Sequence, residues 1–149
     1  MNRSPSLKTA VLAFLMSGSL LTSTALAVPP EIYWTNLTTD AIQRANLDGS
    51  SIMTLEPGVS STGIAVDVAG AKIYWTDLGN PDVGGDESIR RANLDGSVIE
   101  VLVDNTDGLS SPSVIKLDLT AGKMYWVDGG VPAARISRAN LDGSAVELI

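Results

Sequence analysis

Residues 72–103 read KIYWTDLGNPDVGGDESIRRANLDGSVIEVLV, and this segment determines the fold class. Within its first six residues, Ile73 and Trp75 alternate with Tyr74 and Thr76. β-branched and aromatic residues that alternate with a period of two indicate a β-strand. The segment therefore favours a β-sheet over a helical fold.

Three further strands are predicted around the KIYWTD strand. The tetrapeptide LDGS at Leu94–Ser97 is a turn, because Gly96 tolerates a positive φ angle and the preceding aspartate suits turn geometry. Short strands joined by tight turns form one antiparallel sheet. The four strands are predicted at Gly63–Asp67, Lys72–Thr76, Ser88–Asn93 and Val98–Val103.

Both motifs of this sheet recur along the chain. The tripeptide IYW or MYW occurs three times, and RANLDGS occurs three times at a constant spacing of 47 residues. A four-stranded unit that repeats every ~40–50 residues is typical of a β-propeller blade. The RANLDGS copies are Arg44–Ser50, Arg91–Ser97 and Arg138–Ser144, and the tripeptides begin at Ile32, Ile73 and Met124.

The linked motifs IYWTD and RANLDGS resemble the YWTD repeat of the low-density lipoprotein receptor class B family. The resemblance covers Glu31–Ile149, with YWTN ending at Asn36 in the first copy and YWVD with Val127 in the third. It implies an all-β fold, a partial YWTD-type β-propeller with about three four-stranded antiparallel blades of a six-bladed ring. It also implies an extracellular module that binds a protein ligand by one rim.

The blades are predicted at about residues 31–55, 63–103 and 113–149. In the first blade the innermost strand has no clear counterpart, because Val28–Pro30 is short and rich in proline. We expect about eleven strands and no helix after the first 27 residues. The strands outside the second blade are Glu31–Asn36, Ala41–Asn46, Ser51–Leu55, Ser113–Asp118, Lys123–Val127, Arg135–Asn140 and Ala145–Ile149.

Residues 1–27 have the pattern of a secretory signal peptide. Arg3 and Lys8 precede an apolar region, and Ala25–Ala27 forms an A-x-A cleavage site. Cleavage after Ala27 would deliver residues 28–149 to the periplasm or the outside of the cell. We expect no membrane insertion of that mature chain.

Charge and cysteine content restrict the partners of the mature chain. Its eight basic and seventeen acidic residues give a net charge of −9, because the signal peptide holds two basic residues and no acidic one. This charge argues against nucleic acid and anionic membranes. It allows a basic protein or a divalent cation. The chain has no cysteine, so core burial and sheet pairing must hold the fold.

Residues that repeat at matching blade positions are interpreted as structural. The aromatic pairs are expected in the core between blades, and a buried arginine needs a carboxylate or carbonyl partner. We hypothesise that Arg91 pairs with Asp77 or with its counterpart in a neighbouring blade, and that Asn36 replaces this carboxylate in the first blade. The set is Tyr33, Trp34, Tyr74, Trp75, Tyr125, Trp126, Arg44, Arg91, Arg138, Asp77 and Asp128.

The connections that vary between repeats are expected on the rim opposite the LDGS turns. Scaffold loops that vary while strands repeat are common binding surfaces. The longest loops carry an acidic set that suits a basic partner or a weak Ca²⁺ site, with ordinary polar loops as the alternative. The possible partner-contact residues are Asp82, Asp86, Glu87, Asp104 and Asp107.

The absence of histidine and cysteine removes the usual catalytic groups. We therefore expect no enzyme, no catalytic residue, no bound metal and no cofactor. One alternative is a metal-dependent hydrolase or lyase of the six-bladed type, for which Asp67 and Asp118 end the innermost strands.

Two further expectations concern the partial ring. A homodimer of three-bladed chains would close six blades, with each open end covering the other. Alternatively, the chain is a non-functional fragment of a longer propeller protein.

Overall fold

The computed structural model describes residues 11–13, 31–79, 86–130 and 134–149. It contains three antiparallel sheets of four strands each, and in every sheet the strands are neighbours in chain order. These sheets are the blades. The first contains β1 (Val11–Ala13), β2 (Glu31–Asn36), β3 (Ala41–Asn46) and β4 (Met53–Pro57). The second contains β5 (Gly63–Asp67), β6 (Lys72–Asp77), β7 (Ser88–Asn93) and β8 (Glu100–Asp104). The third contains β9 (Pro112–Asp118), β10 (Lys123–Asp128), β11 (Arg135–Asn140) and β12 (Glu147–Leu148).

The first strands of the blades lie side by side, because β5 contacts both β1 and β9. This arrangement makes them the innermost strands of a propeller arc. The all-β prediction is confirmed, but the expectation of no helix after residue 27 was wrong, because Asn105–Asp107 forms a short 3₁₀ helix.

β1 corrects the expectation that the first blade has no clear innermost strand. The backbone of Val11–Ala13 pairs with β2, opposite Tyr33–Thr35. These three residues lie in the segment interpreted as a signal peptide. An apolar segment with a β-branched residue suits this otherwise unpaired strand edge.

The outer strands β4, β8 and β12 begin two residues later than predicted. The residue at the predicted start of each of these strands has a positive φ angle: 56° at Ser51, 54° at Val98 and 55° at Ala145. A left-handed residue interrupts the extended backbone, so strand pairing begins only beyond it.

Two clusters of buried side chains hold the blades together. Tyr33 and Ile42 of the first blade pack with Ile64 and Trp75 of the second. Tyr74 and Ile89 of the second blade pack in the same way with Ile115, Met124 and Trp126 of the third. Each blade therefore presents a tryptophan face to the preceding blade and a tyrosine face to the following one.

Each LDGS turn is closed by the same hydrogen bonds. In the second blade, the Asn93 amide donates to the Ser97 carbonyl at 2.9 Å, and the Ser97 amide donates to the Asp95 carboxylate at 2.9 Å. Gly96 has a φ angle of 86°, which glycine adopts without strain. The identical tetrapeptides in the first and third blades fold alike because these bonds lie within the motif. Within the described residues, no helix has the length and apolar character needed to cross a membrane.

Candidate binding rim

The LDGS turns and the short Ala-Gly turns lie together on one rim of the arc. The Leu94 amide donates to the Ala71 carbonyl at 3.2 Å, and the Leu141 amide donates to the Gly122 carbonyl at 3.1 Å. These bonds join the turn after the third strand of a blade to the turn after its first strand. The variable connections therefore lie at the other ends of the strands, on the opposite rim.

On that opposite rim, two variable connections are joined by side-chain hydrogen bonds. The Asn105 side-chain amide donates to the Asp86 carboxylate at 3.2 Å. The Ser111 backbone amide donates to the Glu87 carboxylate at 2.8 Å. The segment before β7 and the segment after β8 are consequently held against each other. Asp86 and Glu87 contribute to this contact as acceptors.

Asp104 and Asp107 form the two ends of a capping box. Asp104 accepts from the Thr106 amide at 2.8 Å, and the Asp104 amide donates to the Asp107 carboxylate at 3.2 Å. Hydrogen bonds from the Thr106 side chain and backbone lower the pKa of Asp104. Asp104 therefore keeps its negative charge into mildly acidic conditions.

The structure thus brings four of the five predicted rim residues into one pair of connected loops. These four residues, called the acidic rim below, are Asp86, Glu87, Asp104 and Asp107. Asp82, the fifth, lies outside the described residues.

A cavity of about 180 Å³ opens between the second and third blades next to Asp107. Its wall includes Trp126, Asp128 and Arg135. The Asp128 carboxylate is buried, accepts from the Ser110 amide at 2.9 Å and lies 3.3 Å from Arg135 Nη2. This pair was not predicted from the sequence. The sequence feature that could have predicted it is the change from SIRRAN in β7 to RISRAN in β11. This change moves one arginine to the start of the strand, at Arg135.

Asp67 and Asp118, which the alternative metal-dependent enzyme would use, serve as turn acceptors. Asp67 accepts from the Gly70 amide at 2.8 Å, and Asp118 accepts from the Ala121 amide at 2.9 Å. Within residues 11–13, 31–79, 86–130 and 134–149, no group of three or more histidine, cysteine or acidic residues is placed to hold a metal ion.

The hypothesis that Arg91 pairs with Asp77 or with its counterpart in a neighbouring blade was wrong. Arg91 donates to Glu100 at 2.6 Å and to the Leu141 carbonyl at 2.9 Å. Asp77 instead lies 3.5 Å from Arg90. Strand register explains this, because Arg91 is opposite Tyr74 and shares its face, whereas Asp77 and Arg90 share the other face.

The other arginines of the repeat also pair within their own blades. Arg44 lies 2.9 Å from Glu31, and Arg138 lies 3.1 Å from Glu147. In the first blade, the Asn36 side-chain amide donates to Gln43 at 2.9 Å. Arg44 lies on the opposite face of the sheet and is not its partner.

The repeated aromatic residues fall into two groups according to their blade. Tyr33, Tyr74, Trp75 and Trp126 are at most 2% exposed. Trp34 and Tyr125 are more exposed, because they lie on the two faces of the arc that contact no further blade in the described chain. Burial therefore follows the position of a face in the arc rather than the motif alone.

Three blades with aromatic inter-blade cores and identical rim turns define a β-propeller arc built from YWTD repeats. The profile of the low-density lipoprotein receptor repeat class B matches residues 31–68, 71–119 and 122–149. The chain belongs to this family, and the resemblance seen in the sequence is confirmed.

Two relatives illustrate this kinship. The chain is 37% identical over 105 residues to low-density lipoprotein receptor-related protein 1 of Pyricularia oryzae, covering 68% of this chain and 33% of the relative. It is 32% identical over 120 residues to the human low-density lipoprotein receptor-related protein 5-like protein, covering 79% and 44%. The chain thus spans less than half the length of either relative.

Solved structures show the same fold. A chain from a nidogen/laminin complex matches with a TM-score of 0.70 and 32% identity, over 81% of this chain and 44% of that one. A gluconolactonase from Xanthomonas campestris matches with a TM-score of 0.62 and 21% identity, over 81% and 43%. The second likeness concerns the fold alone.

Proposed function

We propose that the chain is a secreted or periplasmic, non-catalytic binding module, and that a protein ligand with a basic surface contacts its acidic rim. The observation that carries this proposal is the pair of hydrogen bonds from Asn105 to Asp86 and from Ser111 to Glu87. These bonds fix two loops of different sequence next to each other. A binding surface that is fixed before association loses less conformational entropy on binding.

Charge supports the same proposal. The whole chain has a net charge of −7, and the acidic rim places four of its carboxyl groups on connected loops. Complementary charge accelerates association with a basic partner and suppresses association with acidic ones. We expect binding to weaken with rising ionic strength, because exposed charges are screened.

The similarity to a protein in a solved complex also supports a protein ligand. The solved relative with 32% identity comes from a nidogen/laminin complex, in which the partner is a protein. Laminin is therefore a reasonable first probe within a set of basic and acidic extracellular proteins.

The experiment compares two charge-matched variants. The rim variant carries Asp86→Asn, Glu87→Gln, Asp104→Asn and Asp107→Asn. The control carries Asp48→Asn, Asp95→Asn, Asp142→Asn and Asp118→Asn on the opposite rim. Each variant loses four negative charges while keeping oxygen acceptors for the hydrogen bonds. Binding to each immobilised protein is measured by interferometry at several salt concentrations.

We expect the rim variant to lose at least about tenfold in affinity, equivalent to about 1.4 kcal/mol, while the control binds as the parent does. Equal losses in both variants would show a nonspecific charge effect. Absence of binding to every basic protein would contradict the proposal.

A further inference from the structure

The tyrosine face of the third blade repeats a face that is buried elsewhere in the arc. Ile136 occupies the position of Ile89 in the second blade. Ile89 is 0% exposed, whereas Ile136 is 53% exposed. The remaining members of the exposed face are Val114, Lys116, Tyr125, Val127 and Arg138.

At both internal junctions, a blade contacts a leucine carbonyl in the next blade's LDGS turn. Arg91 of the second blade donates to the Leu141 carbonyl of the third blade at 2.9 Å. The Tyr33 hydroxyl of the first blade lies 3.4 Å from the Leu94 carbonyl of the second. The LDGS leucine carbonyl of one blade thus meets the preceding blade at its tyrosine in the first junction and at its arginine in the second.

A second contact also recurs at both junctions. A methyl group added to Gly96 would lie 3.1 Å from the Leu55 side chain of the preceding blade. A methyl group added to Gly143 would overlap the backbone of Leu102, which corresponds to Leu55 in the second blade. The turn glycine therefore fits closely against the outer strand of the preceding blade. Ile149 is the corresponding residue of the third blade and is 64% exposed.

The first blade carries the turn that would complete this pattern. Its LDGS at Leu47–Ser50 is identical to the two turns that dock internally. Among the described residues, a methyl group added to Gly49 would meet nothing within 4 Å, and Leu47 is 44% exposed. The same chain thus contains an undocked tyrosine face in its third blade and an undocked turn in its first.

We propose that the tyrosine face of the third blade binds the first blade of a second copy of this chain, and that two such contacts close a two-fold ring. Arg138 of one copy donates to the Leu47 carbonyl of the other, as Arg91 does to Leu141. Gly49 of one copy packs on Ile149 of the other. Ile136 becomes buried, as Ile89 is. The internal junctions provide the template for each contact, because the docking elements are repeats of the same sequence.

Charge is compatible with this junction. Arg138 is paired with Glu147 at 3.1 Å through Nη2. Arg91 pairs with the corresponding Glu100 while its Nη1 donates to the leucine carbonyl. The arginine of the third blade therefore needs no new carboxylate when a second copy docks.

The experiment measures the mass of the full chain by light scattering after size exclusion, over a range of concentrations. Ile136→Lys places a charge in the proposed junction. Val101→Lys is the matched control, because Val101 is 55% exposed on β8 of the central blade, away from both open faces. Gly49→Ala is a second variant, which adds one methyl group in the proposed junction at a φ angle of 80°. Gly108→Ala is its matched control, because Gly108 has a similar φ angle of 85° and lies on the opposite rim of the central blade. Circular dichroism monitors the fold of each variant.

We expect a mass of twice 15.5 kDa for the unsubstituted chain and for Val101→Lys. Ile136→Lys and Gly49→Ala should each raise the dimer dissociation constant at least about 100-fold. A monomer at every concentration would overturn the proposal, as would a dimer that resists both variants. If Ile136→Lys fails to fold, Gly49→Ala is compared with Gly108→Ala, which carries the same backbone strain away from the junction. Dissociation of Gly49→Ala alone supports the proposal, whereas an unchanged dimer or equal dissociation of both variants overturns it.

Discussion

Arg90 reaches Asp77 from the adjacent strand of the second blade, with 3.5 Å between Nη2 and Oδ2. The first blade has Asn36 and Gln43 at the corresponding positions, joined by a 2.9 Å hydrogen bond. The same place in the repeat thus accommodates either an ion pair or a neutral amide pair. Asp77 is 5% exposed, and burial raises its pKa despite hydrogen bonds and the Arg90 charge.

The ion pair of the second blade should tolerate replacement by the amide pair of the first blade only when both of its residues are changed together. Arg90→Gln leaves a buried carboxylate without its cation, so we expect the free energy of unfolding at pH 7 to fall by about 1–3 kcal/mol. Arg90→Gln combined with Asp77→Asn recreates the pair of the first blade and should recover to within about 1 kcal/mol of the parent. Urea unfolding of the parent, both single variants and the double variant gives the coupling between the positions.

The pH dependence of the free energy of unfolding provides a check on this comparison of the single and double variants. A carboxyl group whose pKa is raised in the folded state favours folding when protonated, and this contribution disappears as pH rises through the folded pKa. The deficit of Arg90→Gln should therefore shrink as pH is lowered towards the pKa of Asp77. Equal losses for the single and double variants would contradict the account.

Val98 should be the most strained of the three residues that follow the LDGS turns. Its φ angle is 54°, and β-branched residues are especially unfavourable in the left-handed region. Val98→Asn should raise the free energy of unfolding by about 0.5–1 kcal/mol, because asparagine tolerates this conformation. Val101→Asn, at a similarly exposed strand position, should bring no gain, since asparagine disfavours strands. Similar melting temperatures for the two variants would refute the role of backbone strain.

Acid should destabilise the blades partly through their LDGS turns. Hydrogen bonds from Ser50, Ser97 and Ser144 lower the pKa of Asp48, Asp95 and Asp142, respectively. A lowered pKa contributes stability above the unfolded pKa, and this stability is lost as pH falls through the folded value. The triple Asp→Asn variant should therefore lose less stability than the parent between about pH 5 and pH 2. Parallel stability curves over this range would show that the turns do not carry the effect.

β1 makes the first blade sensitive to the chain before Val28. Its backbone pairs with β2, and β1 also contacts β5. A chain that starts at Val28 lacks β1 and leaves one edge of β2 unpaired, so we expect faster amide exchange along β2 and a lower melting temperature. Exchange in β10 of the third blade is the internal reference. Unchanged exchange along β2 would show that the first blade is stable without β1.

Much of the blade architecture follows from the sequence because the signal is local. The bounds of β2, β3, β5, β7 and β11 agree with those predicted from alternation and turn residues. The outer strands were placed too early because the positive φ angles at Ser51, Val98 and Ala145 are set by turn closure rather than by β-propensity. The innermost strand of the first blade was missed because its residues also satisfy the pattern of a signal peptide.

Side-chain partners were harder to predict than strands. Arg90 and Arg91 are adjacent in sequence but lie on opposite faces of β7, so only the register with β6 identifies which of them meets Asp77. The acidic rim was anticipated from loop composition, but its connection by Asn105 and Ser111 depends on contacts 19 and 24 residues apart. No local pattern encodes these contacts.

Small-angle X-ray scattering of the full chain tests most directly whether two copies complete one ring. Two compact copies of the 149-residue chain should have a radius of gyration of about 19 Å, against about 15 Å for one compact copy. We predict the larger value, together with a distance distribution that matches a closed six-bladed propeller. A single-copy mass, or a doubled mass with an elongated distance distribution, would contradict the account.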